Sequence, residues 1–207
     1  MCLLRILVAL SFPLVIHADL VLSNQISDGI VLQRGPHSAR VWGWCSYDPG
    51  KFVVYASGRE VGLARQAVER MPASDDPVVF EWTLDMEPQP AGGPYDLTIE
   101  SEEEGSVTVK DVYWGDVYLC SGQSNMRMRL NESSDHEQEL ASADYPQIRF
   151  QTVDLWNHGG GQRSQTYVPL ENAWLAMSPR TASACSAVCY YFAKQVHVSQ
   201  GVHVGVA

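Results

Sequence analysis

The stretch Gly115-Asp116-Val117-Tyr118-Leu119-Cys120-Ser121-Gly122-Gln123-Ser124-Asn125-Met126 decides how the rest of the chain is read. Residues 117–120 form a short apolar run suited to a buried strand. Ser121 and Gly122 break that strand and permit a tight bend. Ser124 and Asn125 follow, just ahead of residues with helical character. A hydroxyl therefore stands where a strand hands over to a helix. The unpaired N–H groups and partial positive charge of a helix start suit an oxyanion, and so suit a nucleophile at this place. Ser and Asn in front of a helix also serve as plain caps. The string is not the nucleophile elbow G-x-S-x-G, because Met126 stands where the last Gly would be.

Downstream, the polarity of residues 124–143 is mixed, with Met126, Leu130 and Leu140 as a candidate buried stripe of one helix. Residues 148–153 read as a second strand. Residues 157–165, with His158-Gly159-Gly160-Gly161, read as a polar loop. Residues 182–199 give the clearest helix, capped by Thr181 or Ser183, with Ala184, Val188, Tyr191, Phe192 and Val196 on its buried face. Residues 202–207 open a third strand. The order strand, helix, strand, helix, strand predicts the start of a parallel α/β sheet, with Ser124 at the carboxyl end of its first strand. Ending there leaves an uncovered sheet edge, which such sheets avoid, so the chain is expected to be a truncated product of a longer protein.

Upstream, short runs rich in Val, Tyr, Trp and Ile recur about every dozen residues: 29–33, 39–44, 51–56, 59–64, 78–84, 95–100 and 107–113. Turn signals such as Gly35-Pro36 and Asp48-Pro49-Gly50 separate them. Phe80, Trp82 and Leu84 alternate with polar residues on one strand. This spacing predicts a β-sandwich or jelly roll. Secreted sandwiches often bind glycans, and Trp42, Trp44 and Trp82 are available for stacking. Aromatic residues also dominate cores.

The whole is an α+β chain in three parts: a signal peptide at 1–18, a β-sandwich module at 19–110, and an α/β portion at 111–207. The signal peptide rests on Arg5, the apolar run 6–16 and the small Ala18. It is too short for a membrane span, and no other span is expected. A net charge of −10 argues against a nucleic-acid partner, since a phosphate backbone needs a basic face. The acidic run Glu102-Glu103-Glu104 reads as a solvated loop. In a secretory chain, Asn131-Glu132-Ser133 is a glycosylation sequon at Asn131. With Cys2 in the signal, Cys45, Cys120, Cys185 and Cys189 remain, and three complete pairings are open. Cys185 and Cys189, four apart on one helix, are placed poorly to bond each other and read as buried thiols. No metal pattern emerges: His136, His158, His197 and His203 lack partners at ligand spacing. His136 reads as a solvent-facing residue.

The twelve residues 115–126 closely resemble the first conserved block of the sialate O-acetylesterase family, which belongs to the SGNH-type serine hydrolases. Residues 24–33, Val41-Trp42-Gly43, Gly92-Gly93-Pro94-Tyr95 and residues 186–192 look like the same family. The resemblance covers nearly the whole chain after the signal, but only the first part of a family member. It implies a flavodoxin-like hydrolase sheet behind an all-β module. It implies removal of O-acetyl groups from sialic acids, with no metal or cofactor, in a secreted or lysosomal protein. Ser124 maps onto the nucleophile, with its backbone N–H as one oxyanion donor. Gly122, Gln123 and Asn125 map onto the residues that shape the turn. The family's His base and its other oxyanion donors belong to later blocks, so this chain is expected to be inactive alone. Arg127 or Arg129 could face an anionic substrate. Two other readings stay open: an esterase for another acetylated carbohydrate, and a non-catalytic, secreted glycan-binding β-sandwich.

Overall fold

The computed structural model describes residues 20–45, 52–57, 59–63, 69–70, 80–101, 105–154 and 170–207. The expected signal peptide, the acidic run 102–104 and the Gly-rich loop 157–165 lie outside them. In chain order the elements are β1 (Val21–Leu22), β2 (Val31–Gln33), β3 (Arg40–Cys45), β4 (Phe52–Ala56), β5 (Arg59–Leu63), β6 (Glu69–Arg70), β7 (Phe80–Asp85), β8 (Gly92–Ser101) and β9 (Gly105–Tyr118). They continue with α1 (Ser124–Arg127), a 3-10 turn at Leu130–Glu132, α2 (His136–Ser142), β10 (Tyr145–Val153) and β11 (Leu170–Met177). A second 3-10 turn at Ala182–Ala184, α3 (Ala187–Gln200) and β12 (Val204–Val206) complete them.

The described strands form two sheets. One has the order β1-β3-β7-β6. The other runs β11-β10-β12-β9-β8-β4-β5, with β2 also paired to β9. Side chains from both sheets meet in one core: Val41, Trp82 and Leu84 from the first, and Val54, Leu97, Ile99 and Val112 from the second, all fully buried. The period-2 pattern of β7 accounts for this, because Trp82 and Leu84 fall on one face and Glu81 and Thr83 on the other. Trp82 therefore serves the core rather than a sugar. Trp42 packs against the same core, and Trp44 is half-buried. Gly43 permits the close approach of β1, since a Cβ there would lie 1.9 Å from the Val21 carbonyl oxygen. This strand order does not establish the jelly-roll winding that the spacing suggested.

The second core lies under α3, where Leu130, Ile148, Phe150, Met177, Tyr190 and Val204 are buried together. Here the sheet is mixed. β12 lies between β9 and β10 and is parallel to both. β11 lies antiparallel on the far side of β10.

β9 links the two cores. It pairs antiparallel with β8 from Ser101↔Gly105 to Gly92↔Trp114. Its last part pairs parallel with β2 through Tyr113–Gly115 and with β12 through Asp116–Tyr118. The runs read from the sequence as separate strands at 107–113 and 117–120 are thus one strand as far as Tyr118, and it passes straight through position 110. Arg34, just after β2, binds Asp116 through two hydrogen bonds, Nε to Oδ1 at 2.7 Å and Nη2 to Oδ2 at 3.1 Å. The Val117 N–H, beyond the end of β2, donates instead to the Gln33 side-chain oxygen at 3.1 Å. One amide side chain thus satisfies a backbone group that would otherwise have no strand partner.

Several sequence expectations are corrected. Residues 124–143 do not make one helix. Asp135 takes a left-handed conformation (φ 58°), and Met128 and Ser133 are extended in ψ, so the segment breaks into α1, a 3-10 turn and α2. β11 was not anticipated; residues 170–177 show no strict alternation and carry Glu, Asn and two Ala, poor strand formers. With β11 beyond β10 and β2 beside β9, the three parallel strands are flanked on both sides, contrary to the uncovered edge expected from the sequence. The cap of α3 is Ser186, not Thr181 or Ser183.

The helix face is also rotated. Ala187, Cys189, Tyr190 and Ala193 are buried, whereas Val188, Tyr191 and Phe192 are 40–45% exposed. Small Ala and Cys side chains let α3 sit close to the sheet. Tyr190 is buried because Glu139 meets its hydroxyl, at 2.9 Å, a partner that periodicity cannot reveal. Finally, Cys189 is not a thiol: it forms a disulfide with Cys120, while Cys185 is a free thiol and is buried.

Candidate active site

Ser124 is exposed and is the first residue of α1, six residues beyond the end of β9. Gln123 holds the N-cap position but makes no side-chain cap, and neither does Ser124. The plain capping reading therefore does not describe this hydroxyl. Among the described residues, neither the Ser124 hydroxyl nor its N–H has a hydrogen-bond partner. α1 is a single turn of four residues. Its contribution to an anion is then that of local N–H groups, not of a long helix dipole.

Beside this turn lies a pocket of about 270 Å³. Residues 119–123 line one side, with Met126, Arg127 and Arg129. Phe150–Val153 of β10, Glu171 of β11 and the start of α3 line the other. Gly122 and Gln123 are in the wall. Ser124 and Asn125 are not, although their neighbours Gln123 and Met126 are. No described histidine lines it, and no metal-type cluster of His, Cys, Asp or Glu occurs among the described residues. His136 begins α2, half-buried, with its Nδ1 2.9 Å from the Ser133 carbonyl oxygen.

The charge in the wall is largely spoken for. Arg129 Nη2 donates to Glu171 Oε2 at 2.5 Å, and the Arg129 N–H donates to Glu132 Oε2 at 2.7 Å. Glu171, Gln151 and Ser186 were not singled out in the sequence. Glu171 lies on the unanticipated β11, so nothing in the local pattern pointed to it. The Cys185 thiol is also in the wall, and burial pushes its pKa up to about 12. It is therefore protonated at neutral pH and a poor nucleophile. Asn131 is exposed within the first 3-10 turn.

Two ties hold residues 121–125 in place. The Cys120–Cys189 disulfide joins the end of the strand run to α3 across 69 residues. On the other side, Leu130 N–H donates to the Cys185 carbonyl at 3.0 Å and Ala187 N–H to the Met128 carbonyl at 2.8 Å. Beneath, Glu139 of α2 accepts from Tyr190 and from Lys194 of α3, the latter at 2.8 Å. Lys194 and, less strongly, the Tyr190 hydroxyl hold the Glu139 carboxyl below its usual range.

No family model matches the chain. It is 26% identical over 196 residues to the sialate O-acetylesterase of Rattus norvegicus, covering 89% of this chain and 34% of that protein. It is 26% identical over 216 residues to the sialate O-acetylesterase of Homo sapiens, covering 97% of this chain and 40% of that one. Among solved structures it is similar to XAC1771, a carbohydrate acetylesterase from Xanthomonas citri. The TM-score is 0.70 with 31% identity, over 90% of this chain and 39% of the other. The chain is thus similar to sialate O-acetylesterases and spans 34–40% of the length of the two compared.

Proposed function

We propose that this chain carries the nucleophile of an SGNH-type serine O-acetylesterase, and that the nucleophile is Ser124. The observation that carries the reading is an exposed serine hydroxyl without a partner among the described residues, on the turn that walls the pocket, in a chain similar to acetylesterases. In the proposed reaction Ser124 Oγ attacks the acetyl carbonyl of an O-acetylated sialic acid. Its proton passes to a general base. The Ser124 N–H donates to the developing oxyanion, and the sugar hydroxyl leaves with a proton. Water then hydrolyses the acetyl-enzyme. Acyl transfer through serine requires no metal or cofactor. Since no described histidine lines the pocket, the reading assigns the base to a group outside the described residues. Gly122, Gln123 and Asn125 shape the turn. Treatment with a fluorophosphonate probe and peptide mapping should place the adduct on Ser124, and Ser124→Ala should remove it. An adduct on another serine sinks the assignment.

A second substrate reading is favoured by the likeness to XAC1771: ester cleavage on another acetylated carbohydrate. Acetate release from O-acetylated sialic acid against acetylated xylan separates the two. The reading also places the protein in the secretory route, secreted or lysosomal, with a signal peptide at 1–18 and a glycan on the exposed Asn131. An N-glycosidase should shift the mobility of the protein made in mammalian cells but not that of Asn131→Gln.

A further inference from the structure

The turn bearing Ser124 is attached at both ends to the same short segment, residues 185–189. On the upstream side the attachment is the Cys120–Cys189 disulfide. On the downstream side a single hydroxyl bridges the two elements. Ser186 Oγ donates to the Met126 carbonyl oxygen at 2.5 Å, two residues past Ser124, and accepts from the Cys189 N–H at 3.5 Å. The backbone pairing of Met128 and Leu130 with Ala187 and Cys185 continues the same seam. α1 has no side-chain cap of its own, and a four-residue helix is not stable alone. Its conformation must come from outside.

We propose that Ser186 is a positioning residue for the Ser124 turn: by capping α3 while donating to the Met126 carbonyl, its hydroxyl fixes α1, and hence the Ser124 side chain, against the first turn of α3. The two roles require different properties of one group. Capping needs an acceptor, which Ser, Thr, Asn and Asp all supply. Holding Met126 needs a donor, which an ionised Asp lacks. Ser186→Asp therefore keeps the helix cap and removes only the tie, whereas Ser186→Thr keeps both. Ser186 is half-buried and lies in the pocket wall, but it acts through Met126 rather than on a substrate.

The inference rests on the reading of Ser124 as nucleophile for its functional consequence, but not for its structural one, and the test separates them. Amide hydrogen exchange is measured on wild type, Ser186→Asp and Ser186→Thr, together with the rate of fluorophosphonate labelling at Ser124. In Ser186→Asp, exchange of the hydrogen-bonded Met126, Arg127 and Met128 amides should rise at least tenfold, with residues 105–118 and the second half of α3 unchanged. Labelling should slow at least tenfold. Ser186→Thr should restore both to within threefold of wild type. Unchanged exchange of the Met126, Arg127 and Met128 amides in Ser186→Asp overturns the proposal. So does faster exchange throughout α3, because then only the cap was lost. If exchange behaves as expected but wild type never labels at Ser124, the positioning role stands and the nucleophile assignment falls.

Discussion

The twelve residues 115–126 divide into two halves that the structure treats differently. Gly115 is buried, Asp116 and Val117 are half-buried, and the stretch is bonded to β2 on one side and β12 on the other. A Cβ on Gly115 would stand 2.1 Å from the His203 carbonyl oxygen, Asp116 is held by Arg34, and the Val117 N–H by Gln33. Ser121 to Asn125 are exposed, and the Ser124 hydroxyl meets no described residue. One motif thus contains a joint and the proposed site. The joint explains why residues 24–33 go with this stretch in the sequence pattern: β2 and Gln33 belong to that block, and Arg34 follows it directly. A motif of this specificity is evidence about architecture as much as about chemistry.

The sharpest challenge to the distinction is Gly115→Ala. Its new methyl meets backbone rather than a movable side chain, so the loss in urea unfolding should be about 3 kcal/mol or more. A well-tolerated alanine would show that the joint is slack. Next is Asp116→Ala, which strands Arg34 between β2 and α3, where its remaining partner is Gln200 Oε1 at 3.3 Å. Because the pair is only partly buried, the expected cost is about 2 kcal/mol.

A smaller effect concerns the support beneath the exposed half. Glu139 titrates below its normal range because Lys194, and then Tyr190, bind its charged form. That stabilisation is complete above the unfolded carboxylate value of about 4.3 and is lost as pH falls through the lower folded value. The fall in melting temperature between pH 6 and pH 3 should therefore be less steep in Glu139→Gln. The pair is partly exposed, so the difference should be no more than about 1 kcal/mol. Smallest of all is Ser124→Ala, whose stability should match wild type within about 0.5 kcal/mol, since the hydroxyl holds nothing in place. A loss comparable to that of Asp116→Ala would erase the contrast between the halves.

Much of the β half was legible, because half-buried strands declare themselves by alternation and turn residues. β3, β4, β5 and β7 begin within two residues of their expected starts. What failed did so where distant partners override local pattern. Residues 124–143 are polar enough for a helix, but their order comes from residues 185–187 and from the left-handed Asp135. On α3 the exposed Val188, Tyr191 and Phe192 outweigh the buried Ala187, Cys189 and Ala193 in hydrophobicity, so periodicity chose the wrong face. The placement of Ser124 between a strand and a helix start was visible in the sequence. Its supports, Ser186 and the Cys120–Cys189 bond, were not, because spacing along the chain carries no information about a bridge across 60 or 69 residues.

The pairing of β2 with β9 has a consequence for synthesis. Val117 is 84 residues downstream of Gln33. At about 5–20 residues per second, translation leaves β2 without that neighbour for about 4–17 s after it is made. During this interval the buried Val31 and Leu32 face the cellular milieu, with nothing of β9 yet available to cover them. The nascent chain is therefore most exposed to holdase chaperones before residue 118 emerges, and a slowed ribosome anywhere between positions 34 and 117 would lengthen that exposure.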